Sequence, residues 1–257
     1  MTVAVVTGAA SGMGRSCVDR LASWHDVIVA VDLVAPAIDG TVGVACDVSD
    51  PEAVMSLAWQ AADLGRVRSL AHVAGISPTM ADARRVFEVD LVGTQLVLDA
   101  FEPLCGDGTA AVCFASSSAY QVAPFVSAEQ DALLDDPLRP GFLDEAAATY
   151  ADRGFAYAMA KRGVVRAAAR AAVRWGRRGG RVNSISPGLI DTPMGRQEFE
   201  QQPVMTDMLA ATPLGRFGRP DEVAAVADFL LSDNAAYVSG IDVLVDGAML
   251  QGIARMT

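Results

Sequence analysis

The sequence predicts a doubly wound α/β fold in one domain, residues 1–257, with about seven parallel strands covered by helices on both faces. Short apolar runs of strand length alternate along the chain with alanine- and leucine-rich stretches of helical periodicity, as is typical of a parallel sheet. A glycine-rich turn, Gly8 to Gly14, follows the first apolar run and opens the first helical stretch. Ligands of such folds bind at the carboxyl ends of the strands, so functional residues are expected there.

The apolar runs and helical stretches can be placed in order. The predicted strands are Val3–Thr7, Val27–Asp32, Val42–Cys46, Ser69–Ala74, Ala110–Ser116, Arg181–Ser186 and Ile241–Asp246. The predicted helices are approximately Gly12–Ser23, Pro51–Leu64, Ala81–Cys105, Phe155–Trp175 and Pro220–Ser232.

Two proline-containing segments interrupt the alternation. Ala119–Ala148 is acidic and is predicted to be a loop-and-helix insertion, the 119–148 insertion. Thr192–Gly218, the 192–218 segment, is predicted to be a substrate lid. Because long insertions in compact domains are usually functional, the first is expected to shape a wall of the substrate pocket or to alter a subunit interface. The apolar residues of the second are equally consistent with ordinary core: Met194, Phe199, Met205, Met208 and Leu209.

The bulk composition limits the class of partner. The net charge of −11 disfavours nucleic acid, anionic membrane surfaces and polyanionic substrates. No apolar run reaches membrane-spanning length, and the first strand begins at Thr2 without a preceding basic segment, so a cytoplasmic location is expected. The four cysteines form no CxxC pair, and the chain has only two histidines that could complete a metal site with them. We therefore expect no metal site and no disulfide framework, but small buried cysteine side chains.

The glycine-rich turn has the spacing of a dinucleotide site. Gly8, Gly12 and Gly14 permit a tight strand-to-helix turn and a close backbone approach, with Ser11 and Met13 between them. Backbone N–H groups at the start of the following helix can then bind a pyrophosphate.

Asp32 ends the second predicted strand about twenty residues further on, where a carboxylate can accept hydrogen bonds from the adenosine ribose hydroxyls. A 2′-phosphate would meet a like charge there. No arginine or lysine at positions 9–13 or at Leu33 would offset that repulsion. The sequence therefore predicts NAD(H) rather than NADP(H).

Tyr157 and Lys161 are spaced four residues apart on a predicted helix, so their side chains are neighbours. A free phenol has a pKa of about 10, and a fixed positive charge nearby lowers that value. The pair is therefore a candidate general acid/base.

These motifs together resemble the short-chain dehydrogenases/reductases, which have a Rossmann-type fold, and the resemblance covers essentially the whole chain. Besides the glycine turn and the tyrosine–lysine pair, it rests on Asp47-Val48, Ala74-Gly75, Ser116-Ser117, Pro187-Gly188 with Thr192, and Val245-Asp246-Gly247. It implies an NAD-dependent oxidoreductase that is a homo-oligomer.

The resemblance also implies roles for the matched residues. The implied cofactor contacts, beyond the glycine turn and Asp32 with Leu33, are Asp47 and Val48 at the adenine, Ala74 and Gly75 along the channel, Pro187 and Gly188, and Ile190 and Thr192 at the nicotinamide carboxamide. Ser117 would orient the substrate, with Ser116 and Ser118 as competitors. Tyr157 would exchange a proton with the reacting oxygen. Lys161 would orient the nicotinamide ribose and lower the pKa of Tyr157.

The chain departs from the family pattern at three places. Asp90 stands where an asparagine is common, and an ionised aspartate only accepts hydrogen bonds. It is either a helix-surface residue or the anchor of a water that connects to Lys161. His72 also replaces an asparagine and is interpreted as structural. The long interval from Ser117 to Tyr157 resembles that of the 3α-hydroxysteroid dehydrogenase/carbonyl reductase subgroup. This resemblance implies a bulky hydrophobic alcohol or carbonyl substrate, and steroids belong to that class.

Two other functions are consistent with parts of the pattern. One is an epimerase or isomerase that uses NAD without net turnover, and the other is a non-catalytic NAD-binding sensor or scaffold. The broad apolar faces of Ala81–Cys105 and Phe155–Trp175 are those expected of helices buried against a symmetry mate, which also favours a homo-oligomer.

Overall fold

Parallel strands form one sheet in the computed structural model, which describes residues 1–256. They are β1 (Thr2–Thr7), β2 (Val27–Asp32), β3 (Val42–Ala45), β4 (Arg66–His72), β5 (Ala110–Phe114), β6 (Arg181–Pro187) and β7 (Asp242–Val245). Their order in the sheet is β3-β2-β1-β4-β5-β6-β7. Each predicted strand is present with ends that differ by a few residues, so the predicted sheet is confirmed.

The helices lie between and beside these strands. They are α1 (Gly12–Leu21), α2 (Pro51–Leu64), α3 (Ala83–Val86), α4 (Gly93–Phe101), α5 (Ser118–Val122), α6 (Ala128–Leu134), α7 (Phe142–Thr149), α8 (Arg153–Gly176), α9 (Pro193–Gln201), α10 (Val204–Ala211), α11 (Pro220–Leu231) and α12 (Met249–Met256). A π-helical segment, Phe87–Val92, joins α3 to α4.

Apolar residues on both faces of the sheet explain why helices cover both faces. Leu21 of α1 and Leu230 of α11 are buried in one core, while Leu57 of α2, Leu98 of α4 and Trp175 of α8 are buried in the other. This arrangement confirms the doubly wound fold.

The order of the strands fixes where a ligand crevice can form. β1 pairs with both β2 and β4, so the chain fills the sheet first to one side of β1 and then to the other. Such a switch point leaves a crevice at the carboxyl ends of the two central strands. Thr7 at the end of β1 is paired with His72 at the end of β4, and the glycine-rich turn begins directly after Thr7.

The 119–148 insertion folds as three short helices, α5, α6 and α7, against the body of the domain. Leu134, Phe142 and Ala146 are buried in a third apolar core together with Phe87 and Met159. The insertion is therefore an integral part of the domain.

Charged contacts hold the insertion on α8. Asp131 accepts hydrogen bonds from Arg162, with Nε 2.6 Å from Oδ1, and Asp135 accepts from Arg166, with Nη2 2.5 Å from Oδ2. Arg170 also pairs with Asp135. The insertion thus covers the arginine-bearing face of α8, which is not the apolar face for which the sequence predicts a symmetry mate. Whether α8 contributes elsewhere to a subunit interface stays a prediction.

Two predictions from composition concern membranes and cysteines. Nowhere in residues 1–256 is a helix both long and apolar enough to cross a membrane. The four cysteines are free; Cys17, Cys46 and Cys113 are buried as predicted, and Cys105 is half-buried.

Candidate active site

The glycine-rich turn forms a close-fitting cradle at the switch point. Gly8 has a φ of +67°, a conformation that favours glycine, and a Cβ at Gly14 would lie 1.9 Å from the Gly8 carbonyl oxygen. The turn leads into α1, whose first residue is Gly12 and whose N-cap Ser11 makes no capping hydrogen bond with its side chain. Backbone N–H groups at this helix start remain available for an anion such as a pyrophosphate.

Asp32 and Leu33 lie on the wall of the same cleft at the end of β2. The Asp32 carboxylate accepts hydrogen bonds from the N–H groups of Ala10, at 3.0 Å, and of Leu33, at 2.8 Å. These bonds fix the carboxylate beside the glycine-rich turn, while each oxygen keeps a lone pair for a further donor.

Arg85, which the sequence did not predict as a site residue, lines this cleft as well. Its guanidinium contacts Asp47 Oδ2 at 2.9 Å and Glu88 Oε2 at 2.8 Å. Burial opposes ionisation of Asp47, but hydrogen bonds from Ser49 and Arg85 outweigh it and hold the Asp47 pKa below its ordinary value. Asp47 and Arg85 are 38 positions apart, so no local pattern predicts their contact.

The predicted cofactor residues other than Lys161 divide between two adjoining pockets, and Lys161 lies behind Tyr157 and lines neither of them. The dinucleotide cleft is lined by Gly8, Ser11, Gly12, Met13, Gly14, Asp32, Leu33, Asp47, Val48, Ala74, Gly75 and Thr192. The second pocket, called the substrate pocket below, is lined by the serine cluster, Tyr157, Pro187, Gly188, Ile190 and Thr192. Met13, Thr192 and Met194 line both pockets and form their common boundary.

Ser116, rather than Ser117, is the serine that the structure brings to the Tyr157 phenol. The Ser116 side chain lies close enough to the Tyr157 phenol to lower its pKa, and Ser116 Oγ accepts a hydrogen bond from the Ser118 N–H at 3.2 Å. Ser117 is buried, and its N–H donates to the Pro187 carbonyl at 2.9 Å. The Ser118 hydroxyl is buried without a hydrogen-bond partner in residues 1–256. The geometry therefore favours Ser116, which the sequence analysis had ranked behind Ser117.

Lys161 and Asp90 form a buried pair behind the tyrosine. Lys161 Nζ lies 3.6 Å from Asp90 Oδ1, donates to the Phe114 carbonyl at 3.2 Å, and lies 5.6 Å from the centre of the Tyr157 ring. Asp90 is 1% exposed, so it is a core residue and not a helix-surface aspartate. Burial raises its pKa, while Lys161 and the Ile76 N–H, 2.9 Å from Asp90 Oδ1, act in the opposite direction.

Gly75 is required by this buried pair. A Cβ at Gly75 would lie 2.8 Å from Asp90 Oδ1 and 3.0 Å from Lys161 Nζ. Any larger residue would displace one of the two charged groups. The π-helical turn that carries Asp90 replaces part of the single helix predicted over Ala81–Cys105, because apolar periodicity does not distinguish a π turn from an α turn.

The pKa of Tyr157 is shifted upward. Burial is the main cause, the negative charges of Glu198 and Asp90 add to it, and the nearby Ser116 side chain opposes it. The sequence predicted that Lys161 would lower this pKa. The difference has a physical reason: the phenol is largely desolvated, and the negative charge of Asp90 opposes the effect of Lys161.

His72 has the structural position that the sequence analysis expected. Its ring nitrogens contact the hydroxyls of Thr7, at 2.9 Å, and Thr94, at 3.1 Å. Burial, with a smaller contribution from Lys161, lowers the pKa of His72 to about 3, so the ring is neutral. The Thr7 hydroxyl also accepts from the N–H groups of Val73 and Ala74, so His72 helps to hold the ends of β1 and β4.

Comparisons with known proteins identify relatives along most of the chain. Residues 2–128 match the family profile described as short chain dehydrogenase, and residues 144–249 match the one described as enoyl-(acyl carrier protein) reductase. D-threitol dehydrogenase from Mycolicibacterium smegmatis is 33% identical over 95% of this chain and 91% of its own length. An uncharacterised short-chain dehydrogenase/reductase from Sinorhizobium fredii is 33% identical over 96% of this chain, which spans 43% of that protein.

A solved structure supports the same assignment. The 3α-hydroxysteroid dehydrogenase from Pseudomonas sp. B-0831, complexed with NADH, has a TM-score of 0.83 and 28% sequence identity, with 100% of both chains covered. The family profiles, the relatives and the fold agree with one another. The chain therefore belongs to the short-chain dehydrogenase/reductase family of oxidoreductases.

Proposed function

We propose that the chain is an NAD(H)-dependent enzyme that interconverts a secondary alcohol and a ketone. The observation that carries this proposal is the position of the Tyr157 phenol and Ser116 in a pocket that adjoins the dinucleotide cleft. The two pockets share the wall formed by Met13, Thr192 and Met194. A substrate bound beside Tyr157 would therefore adjoin the cofactor.

The residues of the cleft fit NAD(H). The glycine cradle leaves no space for a Cβ at Gly14, and the backbone there is suited to a pyrophosphate. Asp32 presents a carboxylate that suits ribose hydroxyls and repels a 2′-phosphate. The similar 3α-hydroxysteroid dehydrogenase was solved with NADH, which supports the same cofactor here.

Bound NAD(H) supplies the hydride acceptor or donor. Around it, the hydroxyls of Ser116 and Tyr157 hold the reacting oxygen by hydrogen bonds. Tyr157 takes the proton of the alcohol during oxidation and donates it to the carbonyl oxygen during reduction. Because burial raises the pKa of Tyr157, the phenol is protonated near neutral pH, which is the state that carbonyl reduction requires.

The remaining wall of the substrate pocket supports a bulky and largely hydrophobic substrate. Met205, Met208 and Phe217 contribute much of this wall from the 192–218 segment. This placement supports the proposed role of that segment as a lid. A steroid-sized alcohol or ketone is within the proposed substrate class.

The two alternatives make different predictions. An epimerase would return NAD unchanged, and a sensor would bind NADH without turnover. The placement of Ser116 and Tyr157 in one pocket, with Lys161 beside the tyrosine ring, favours catalysis over a sensor function.

The test is a panel of secondary alcohols that includes steroids, with NAD⁺ and NADP⁺ compared for each. We expect NADH to appear with at least one alcohol, and faster turnover with NAD⁺ than with NADP⁺. Binding of NADH without net turnover of any alcohol or ketone would contradict the proposal.

We also propose that the protein is a cytoplasmic homo-oligomer. Large apolar side chains are exposed on the isolated chain, among them Val173, 59% exposed, and Phe229, 46% exposed. Sedimentation equilibrium gives the mass of the assembly; a mass equal to one chain at micromolar concentration would contradict this part.

A further inference from the structure

Glu198 places a carboxylate on the wall of the substrate pocket. One face of α9 carries residues spaced four apart: Met194, Glu198 and the C-cap residue Gln202. That face lines the pocket. The prediction from sequence rested only on the apolar residues of this segment.

The Glu198 side chain has no partner of its own. In the part of the chain that the structure describes, this side chain makes no hydrogen bond and no ion pair. The residue is nevertheless half-buried. Asp131 and Asp135, which are similarly half-buried, are each bound by arginines. A partly desolvated carboxylate without a hydrogen bond is costly, so its position suits a ligand that supplies a donor.

Glu198 lines the same pocket as Tyr157, and the two groups influence each other electrostatically. The charge of Glu198 contributes to the raised pKa of Tyr157, and Glu198 in turn is influenced by Lys161 and Asp90. Burial, with Asp90 adding to it and Lys161 opposing it, raises the pKa of Glu198 to about 7. An anionic substrate group would be repelled by the ionised Glu198 carboxylate, whereas a neutral hydrogen-bond donor would not be.

The rest of the wall is mostly apolar and carries a few other polar side chains. Besides the serine cluster and Tyr157, the polar side chains on the wall include the amides of Gln121 and Gln202, and neither forms a hydrogen bond within residues 1–256. Methionines and Phe217 occupy much of the remainder. The pocket therefore combines an apolar surface with unpaired polar groups that lie outside the Ser116–Tyr157 pair.

We propose that Glu198 is a specificity-determining residue that accepts a hydrogen bond from a second hydroxyl of the substrate. The substrate class is then a mostly apolar diol or hydroxyketone, in which one carbinol carbon reacts at Tyr157 and another hydroxyl binds Glu198. The ionised carboxylate, which is the form of Glu198 above about pH 7, only accepts hydrogen bonds, so it recognises a hydroxyl and offers nothing to a plain hydrocarbon or an ether at that position. This inference rests on the dehydrogenase function proposed above.

The experiment compares cyclohexanol with the 1,2-, 1,3- and 1,4-cyclohexanediols as substrates with NAD⁺. Each is measured with the wild type, Glu198→Gln, Glu198→Leu and the control Glu200→Gln, which changes an exposed carboxylate on the same helix outside the pocket. For one diol, we expect kcat/KM of the wild type to exceed that for cyclohexanol by roughly 10-fold to 100-fold, the range of a hydrogen bond to a charged group.

Glu198→Leu should abolish this preference, mainly through a higher KM for the diol, and Glu198→Gln should retain part of it because an amide oxygen still accepts. Glu200→Gln should behave as wild type. Equal kcat/KM of the wild type for cyclohexanol and every diol, or an undiminished preference in Glu198→Leu, would overturn the inference. The thermal unfolding midpoint of each variant shows whether it has folded. If Glu198→Leu does not fold, the isosteric variant Glu198→Gln provides the test.

Binding measurements separate this inference from the proposed function. Calorimetry of Tyr157→Phe protein, saturated with NAD⁺, gives the affinities for cyclohexanol and the diols without turnover. If this protein prefers a diol, and the additional substitution Glu198→Gln weakens that preference, the result supports recognition by Glu198. That conclusion holds even if the wild type oxidises no alcohol, a result that would contradict only the dehydrogenase proposal. Equal affinities for cyclohexanol and all the diols would contradict the inference alone.

Discussion

Asp90 Oδ1 lies 3.6 Å from Lys161 Nζ, and the two side chains are almost completely enclosed by the protein. The second carboxylate oxygen of Asp90 is buried without a hydrogen-bond partner in residues 1–256. An asparagine at this position would leave the lysine charge uncompensated. The aspartate instead offsets that charge and adds to the upward shift in the pKa of Tyr157.

Asp90→Asn should therefore move the pH dependence of alcohol oxidation. Removal of the negative charge lowers the pKa of Tyr157, and we expect the rise of kcat/KM with pH to shift by about one unit toward lower pH. The measurement is a pH–rate profile of the variant beside the wild type. Asp63→Asn, a change on the edge of α2 outside both pockets, is the control; a profile of Asp90→Asn that coincides with the wild type would contradict the account.

Ser116→Ala and Ser117→Ala form a matched pair of adjacent substitutions. Loss of the Ser116 hydroxyl removes a hydrogen bond to the reacting oxygen and should lower kcat by roughly 100-fold. Ser117→Ala should change kcat much less, because the hydrogen bonds that the structure shows for Ser117 are made by its backbone N–H and carbonyl groups. Steady-state kinetics with one alcohol decide the matter; the reverse order of effects would restore Ser117 as the substrate-orienting residue.

Glu198 should make the stability of the protein depend on pH. Its pKa is raised from 4.5 to about 7 in the folded chain, so protonation favours the folded state. The stabilisation is complete below pH 4.5 and is lost as the pH rises through about 7. Glu198→Gln removes the cost of ionisation, and its free energy of unfolding should exceed that of the wild type by about 1–2 kcal/mol at pH 8, but not at pH 4.5.

Urea unfolding of both proteins at the two pH values checks this. A difference in the free energy of unfolding that is the same at pH 4.5 and pH 8 would show that Glu198 does not titrate in this range.

The contacts between the 119–148 insertion and α8 should contribute to stability. Asp135→Ala leaves the half-buried Arg166 and Arg170 without this carboxylate, and we expect a loss of about 1–2 kcal/mol in the free energy of unfolding at low salt. The loss should shrink at high salt because of screening. Asp136→Ala removes an exposed neighbour that makes no ion pair within residues 1–256, and it should be nearly neutral. Equal losses for the two variants in urea unfolding would refute the assigned role of Asp135.

The elements predictable from sequence are those with a local signal. Apolar runs define the strands, Pro51–Leu64 has the predicted bounds, and the spacing of Gly8, Gly12 and Gly14 predicts a turn whose fit is now explained by the contact of Gly14 with Gly8. Tyr157 and Lys161 are neighbours for the simple reason that they are one helical turn apart.

The features that sequence did not predict depend on contacts between distant residues. The pairing of Arg85 with Asp47, the burial of Asp90 against Lys161 and the choice between Ser116 and Ser117 each depend on the packing of separate elements. Glu198 lies in a proline-containing segment that was interpreted from its apolar residues. Its carboxylate becomes a candidate binding group only when the structure places α9 on the pocket. Its interval of four residues from Met194 and Gln202 is the one local signal that could have found it.

The most direct measurement of the central claim is turnover and NADH binding by Tyr157→Phe, which removes one hydroxyl and keeps the ring. NADH fluorescence titration should give a dissociation constant within about threefold of the wild type, a difference below 1 kcal/mol, because the phenol oxygen is assigned to the substrate. Turnover of an alcohol that the wild type oxidises should fall by at least about 100-fold. Retention of wild-type turnover with intact NADH binding would contradict the assignment of Tyr157 as the group that exchanges a proton with the substrate.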